Sequence, residues 1–373
     1  MSARRLGRIA VALAGIGGAA WVAFACVEDP HRRTSREQAA GGGGPCAAEP
    51  GQLPAPDCNN SENKCESKPG CVIDETRCGS KATCLPLADN KGKSVLDFRI
   101  RRLNIAAPPA LTGELIQNTV VTRGIDLAEK TCGEQGTGLF TWLLRVDKAN
   151  NTIVTGGAPP PTDAFGQGYC FARFDVGPNK VQPITSKIEF QNDTFRSLDP
   201  QNVKIPIFLN EQIDSVILLP ISDVRIEGVK MTADDNCIGN LNEIALDRDC
   251  FDDSLCAKWT TAGALGGFIT LEEADSVKIR DLNNKSLCAF LAGELEVCSR
   301  DGAGKILYKG DFCSTDKTAG SCQDSVWLAA TFAASAVKIF DGAGTVPGCS
   351  GVVQEVDAGV DAESDASADA PND

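Results

Sequence analysis

Histidine is nearly missing from this chain. Of 373 residues only His31 carries an imidazole, and it lies in a stretch without apolar pattern, so the expected folded body has none. That excludes Ser-His-Asp and Cys-His catalysis and histidine-ligated zinc. Aromatic residues are scarce too. Four tryptophans and two tyrosines offer few flat rings for stacking sugars, which leaves calcium-dependent oxygen ligation as the way a lectin could work here. No two cysteines are spaced C-x-x-C, so a zinc ribbon is not expected. Basic residues are outnumbered: 36 Lys and Arg against 50 Asp and Glu give a net charge of −14. A chain of that sign is not expected to bind nucleic acid or anionic surfaces through charge.

What is present begins with an export signal. Arg4, Arg5 and Arg8 are followed by a run of 17 uncharged residues, Ile9 to Ala25, ending in the small-x-small site Ala23-Phe24-Ala25. A positive start, an apolar middle and such a site predict a cleaved signal peptide over 1–25. The run is short and rich in Gly and Ala for a membrane span. Cys26 follows at once, and "AFAC" resembles the lipobox of bacterial lipoproteins. That resemblance implies that the Cys26 sulfur takes a diacylglycerol and that Cys26 becomes the first mature residue. Parity agrees: 17 cysteines less Cys26 leave 16, an even set that pairs without a free thiol. Residues 26–45 end in four glycines and read as a flexible tether, with a reach of about 25 Å.

The mature chain is long enough for one large or two medium domains, and its cysteines imply an oxidising compartment. Cys46, Cys58, Cys65, Cys71, Cys78 and Cys84 crowd into 46–90 among Pro, Gly, Asn and Ser. This predicts a small cysteine-rich module with three bridges of open connectivity. Its segment "CESKPGCVIDETRCGSKATC" resembles extracellular modules of the plexin-semaphorin-integrin type. Ten cysteines fall in 91–350: Cys132, Cys170, Cys237, Cys250, Cys256, Cys288, Cys298, Cys313, Cys322 and Cys349. Cys313 with Cys322 and Cys250 with Cys256 are plausible local loops.

Within 91–350 the dominant period is two. Ile184, Ser186, Ile188 and Phe190 alternate with Thr185, Lys187, Glu189 and Gln191, and Phe140, Trp142, Leu144 and Val146 alternate with polar Thr141 and Arg145. Alternation predicts strands with one face in the core and one in water. In "DVRIEGVKM" the phase slips at Gly228, the mark of a bulge. Pro206 cannot donate to a ladder and predicts an edge strand. Turns such as "VGPNK", "DLNNK" and two "DGAG" tetrapeptides separate these runs, while "TLEEADSV" and "KSLCAFLAG" predict short helices. The expected fold class is mainly β: a disulfide-braced sandwich or barrel-like body with few short helices. The tail, 351–373, repeats Asp-Ala every four residues and reads as a disordered acidic segment.

Asp247, Asp249, Asp252 and Asp253 place four carboxylates in seven residues, a density that could hold calcium. Asp234, Asp235 and Asn236 form a smaller group. Neither fits a calcium-binding EF-hand loop, and charge runs are commonly solvated loops. "DGAGKIL" lacks the spacing of a phosphate loop and reads as a turn. The acidic tail, the lipobox and the cysteine-rich body together resemble, in composition, surface lipoproteins of myxobacteria and related Gram-negative bacteria. That resemblance implies an outer-membrane or cell-surface location and no particular activity. The expectation is a cell-envelope lipoprotein with a binding or structural role, its partners the membrane, through the lipid, and a glycan or an envelope protein. No cofactor beyond calcium is expected. The alternative is a carboxylate-dependent secreted hydrolase acting on polysaccharide, which needs two carboxylates about 5 to 10 Å apart.

Overall fold

The computed structural model describes residues 48–56, 88–113, 115–127, 136–161, 166–176, 179–208, 216–241, 259–279, 283–340 and 348–349. The segments expected as signal, tether, most of the cysteine module and the acidic tail lie outside these. The strands are β1 (Val95–Ala107), β2 (Thr141–Asp147), β3 (Thr152–Ala158), β4 (Phe174–Val176), β5 (Asn179–Val181), β6 (Ile184–Gln191), β7 (Thr194–Ser197), β8 (Gln201–Phe208), β9 (Val216–Glu227) and β10 (Val229–Lys230). There follow β11 (Cys237–Ile238), β12 (Asn240–Leu241), β13 (Trp259–Thr260), β14 (Gly263–Thr270), β15 (Lys278–Ile279), β16 (Lys285–Ser286), β17 (Phe312–Cys313), β18 (Thr318–Ala319) and β19 (Ser325–Ala336). Among the short helices that join them are α1 (Leu271–Ser276) and α2 (Leu287–Ala292), besides a single turn at Arg123–Ile125. No described helix is long and apolar enough to cross a membrane.

The protein is mainly β, and of the two architectures expected the strands form the barrel-like one. One antiparallel sheet runs β7-β6-β3-β2-β1-β19-β14-β9. Its ends meet because β9 and β10 are one strand bent at Gly228. Before the glycine the strand bonds β14; after it, Val229 and Lys230 bond Phe195 and Thr194 of β7. Gly228 adopts φ +60° and carries the ring of Pro56 against its Cα, so a side chain there would be strained and crowded. Where β7 and β9 splay, the Ser197 hydroxyl substitutes for the ladder. It accepts from the Ile226 N–H at 2.9 Å and donates to the Ile226 carbonyl. β8 ends the strand order, as Pro206 predicts, and the proline ring lies against Gly157 of β3.

The interior is filled by side chains. Leu96, Phe98 and Ile100 of β1 point inward, and a bulge between Ile100 and Arg102 resets the inward phase to Leu103. The facing residues of β19 are matched in size: Phe98 opposes Ala336, Ile100 opposes Ala334, and Leu103 opposes Phe332. Trp142, Leu144, Val146, Ile188, Phe195, Val224 and Leu265 complete the same cluster. Small residues on β19 therefore make room for large ones on its neighbours.

β1 and β14 flank β19, both antiparallel to it, so both leave the barrel at one end. β1 runs into a turn at Pro109–Leu111 and a π-helical segment, Leu115–Thr122; β14 runs into α1. Ile116, Val121 and Ile125 join Leu271, Ala274, Leu287 and Leu291 in the core cluster and plug this helical end. The helices are capped as local sequence dictates. Thr270 and Glu273 form a reciprocal capping box on α1, Ser286 caps α2, and Gly293 ends it at φ +72°.

The outer face of β2 differs from the half-solvated strand expected. Leu143 on that face is fully buried, packed with Ala158, Tyr169, Phe171, Val337 and Ile339. Chain segments distant in sequence lie over the strand as a second layer. A similar layer covers β14 and β19. Residues 48–56, the start of the segment expected as a separate module, cross the outside of the barrel as a strap. Ala48 and Leu53 pack with Phe268, Phe312 and Trp327; Trp327 Nε1 donates to the Gln52 carbonyl at 2.8 Å; Thr261 Oγ1 donates to the Pro56 carbonyl at 2.8 Å. The other flank of that module is bonded too: the Asn90 N–H donates to Asn236 Oδ1 at 2.7 Å.

Candidate functional site

The four-aspartate group, Asp247, Asp249, Asp252 and Asp253, falls outside the described residues, as does the Cys250 and Cys256 loop. The smaller group is described, and it is used by the fold. Asp234 accepts from the Thr232 hydroxyl, from the Asn236 N–H at 3.1 Å and from the Asn236 amide at 3.2 Å. Burial raises its pKa, but these donors outweigh burial and hold the carboxyl below its ordinary value. Asp235 pairs with Lys148 at 2.7 Å. Asn236 binds Asp89 and the Asn90 backbone, so the group clasps the far end of the barrel.

All seven cysteines among the described residues are disulfide-bonded: Cys170 with Cys349, Cys288 with Cys298, Cys313 with Cys322, and Cys237. The remaining cysteines lie outside them. Two carboxylates sit beside bridges, Asp275 near Cys288 and Cys298, and Asp324 near Cys313 and Cys322. The sulfurs are bonded to each other, so neither group offers a thiolate to a metal.

Both carboxylates organise the helical end. Asp275 accepts from the Ser286 hydroxyl at 2.7 Å, the Cys298 N–H at 2.8 Å and the Arg300 guanidinium at 3.0 Å. Burial pushes its pKa up; the Cys298 N–H, Ser286 and Arg300 pull it further down. Arg300 is shared with Glu272 at 2.8 Å, and these two acids raise its own pKa. Asp324 accepts from the Ser314 N–H and hydroxyl and from Ser325. Each holds a proton less tightly in the folded state, so each stabilises the fold at neutral pH and loses that contribution as pH falls.

Asp311 is the exception. Its carboxylate accepts from the Trp327 N–H at 2.8 Å, continuing the β19 ladder past the last residue of β1, which pairs with Ala329. Burial raises its pKa, and the Trp327 N–H only partly opposes this. Folded Asp311 therefore holds its proton more tightly than the unfolded chain does. Stability falls as pH rises from the ordinary carboxylate value through the raised one, and stays lower above it. Asp311→Asn keeps an acceptor for the N–H and removes the charge. It is expected to match or exceed the native protein in urea denaturation at pH 7. Asp311→Ala orphans the N–H and is expected to lose about 1–2 kcal/mol. Equal losses in the two variants would show that the charge itself stabilises.

Sequence reasoning passed over two arginines. Arg99 and Arg101 on the outer face of β1 are buried, at 0% and 1% exposure, with Arg99 5.7 Å over the Tyr169 ring and Arg101 5.7 Å over the Trp259 ring. Alternation on β1 could have marked the arginines as outward, but not as covered. Asp97 of β1 and Arg145, directly opposite on β2, form a two-pronged pair at 2.7 and 3.1 Å on that outer side.

At the helical end, past α2, three large apolar side chains are exposed. Leu295, Val297 and Leu307 are 89%, 51% and 57% exposed. The partly buried carboxylates thus serve the fold, and the described surface carries ion pairs and these exposed apolar side chains. No protein-family model matches the chain, and neither does any curated protein or solved structure.

Proposed function

We propose that the protein is a lipid-anchored component of a Gram-negative cell envelope, with a binding or structural role carried by the outer surface of its barrel. The observation that supports this most is the cysteine chemistry. Every described cysteine is oxidised, as suits an exported protein, and setting aside Cys26, which follows the expected signal site, leaves an even number of cysteines. The barrel interior is occupied by its own side chains, which favours partners met on the outside, a glycan or an envelope protein. The hydrolase alternative draws no support from Asp234, Asp275 or Asp324, whose oxygens are taken by the fold.

The test is an intact mass. The full chain is expressed in a Gram-negative host, extracted in detergent, and its free thiols are blocked without reduction. The expected species starts at Cys26, carries added acyl mass and has no blocked thiol. A species starting at Cys26 without acyl mass and with a blocked thiol would overturn the anchor. Release of reducing ends from a polysaccharide would overturn the binding role in favour of hydrolysis.

A further inference from the structure

We infer that the helical end of the barrel rests on the lipid surface, with Leu295, Val297 and Leu307 entering the headgroup layer. This rests on the proposed anchor at Cys26. Two independent features point to the same end.

The first is the polarity of the strap. Gly51 lies against Phe312, which pairs with Ser325 beside Thr270, the last residue of β14. Leu53 lies against Gly266, and Pro56 against Gly228 and Thr261. The chain thus enters at the helical end and runs away from it. Ala48, its first described residue, packs against the cluster of Phe268, Phe312 and Trp327. The tether from Cys26 is therefore delivered where α1 and α2 stand. β1, with 13 residues, is about 40 Å long, while the reach expected of the tether from its length is about 25 Å. At its mean extension the tether brings the near end to the anchoring surface, and bringing the far end, at Val95, there would need it stretched well beyond that mean.

The second is the chemistry of that end. Leu307 bonds Ser299 through its N–H, and Ile306 bridges Arg300 in antiparallel register. The pairing puts Lys305, Leu307 and Lys309 on one side of an extended segment, with Ser299 opposite Leu307 and Val297 two residues on. All three of the first set are exposed. An apolar side chain between two lysines suits an interface in which the leucine is buried shallowly; Leu295 stands between Glu294 and Glu296, so the contact is carried by the apolar side chains and not by net charge. Exposed apolar groups of this kind on an otherwise polar surface mark contact sites.

The test uses tryptophan as a depth probe. The native Trp142, Trp259 and Trp327 are buried, and Trp21 lies in the segment expected to be cleaved. Leu295→Trp, at a fully exposed position, leaves folding untouched. Val95→Trp, at the far end and 38% exposed, is the control. Each full chain is first weighed for acyl mass. It is then reconstituted in vesicles of phosphatidylethanolamine and phosphatidylglycerol, plain or brominated on the acyl chains. The expected result is loss of the added emission in brominated vesicles for Leu295→Trp and no loss for Val95→Trp. Acyl mass with neither variant quenched, or with both quenched, overturns the orientation and leaves the anchor standing. A blue-shifted, unquenched Leu295→Trp means that a second copy or another protein covers the patch, which also overturns it. Absence of acyl mass overturns the anchor and the orientation together.

Discussion

Replacing Cys170 and Cys349 together by alanine is expected to destabilise the protein more than replacing either local pair. Their bridge closes a separation of 179 residues, against 10 for Cys288 and Cys298 and 9 for Cys313 and Cys322. Loop-closure entropy then gives up to about 5 kcal/mol for the long bridge and about 2.6 kcal/mol for each short one. Bridges nested within the long loop already restrict it, so the larger figure is an upper one. Geometry adds to the same side. Cys170 follows Tyr169 in the layer over β2, and the Arg173 N–H donates to the Gly348 carbonyl at 2.7 Å. Losing the bridge loosens the cover of Leu143 as well as widening the unfolded ensemble. Urea denaturation of the three double variants under oxidising conditions checks the order. A smaller loss for Cys170 and Cys349 than for a local pair would show that the layer holds without its bridge.

Phe332→Ala is expected to cost about 3–5 kcal/mol. The ring is fully buried at the centre of β19, opposite Leu103 on one side and Gly263 on the other. Gly263 is where the ring finds its room: a Cβ on that glycine would sit against the ring carbons Cζ and Cε1. Gly263→Ala alone therefore overpacks the site and is also expected to destabilise. In the Phe332→Ala background the clash is gone, and the methyl partly fills the cavity. The two losses are expected to be less than additive when measured by denaturation in a double-mutant cycle. Strict additivity would mean that ring and glycine do not share the space.

Much of this was legible locally. The alternation of Ile184–Gln191 is β6, the phase slip at Gly228 is the bend between β9 and β10, and Pro206 marks the strand that ends the sheet. α1 and α2 were readable because Thr270, Glu273, Ser286 and Gly293 act within a few residues of where they stand. What stayed hidden depends on partners far away. β19 reads SVWLAATFAASA, with no apolar-polar contrast, because both its faces are covered. Alternation cannot signal burial by a second layer, so the covered outer faces of β1 and β2 were missed. Asp311 gives no signal in sequence; its partner, the Trp327 N–H, is set by where β1 stops pairing with β19. The candidate site was the least legible part. A run of aspartates reports composition, while the groups that organise the helical end, Asp275 and Arg300, are single residues brought together from separate segments.

The pairing of β1 with β19 also orders events in time. A chain made from its N-terminus delivers β1 early, and β19, which bonds β1, β14, β11 and β17, only after nearly all the rest. Until Ser325–Ala336 arrives, β1 and β14 each present a bare edge to the surroundings. The barrel therefore cannot lock until nearly all of the chain is present. Maturation is correspondingly late and slow, because its central contacts join the most distant parts of the chain. During that interval the half-made sheet is at its most exposed to misassembly.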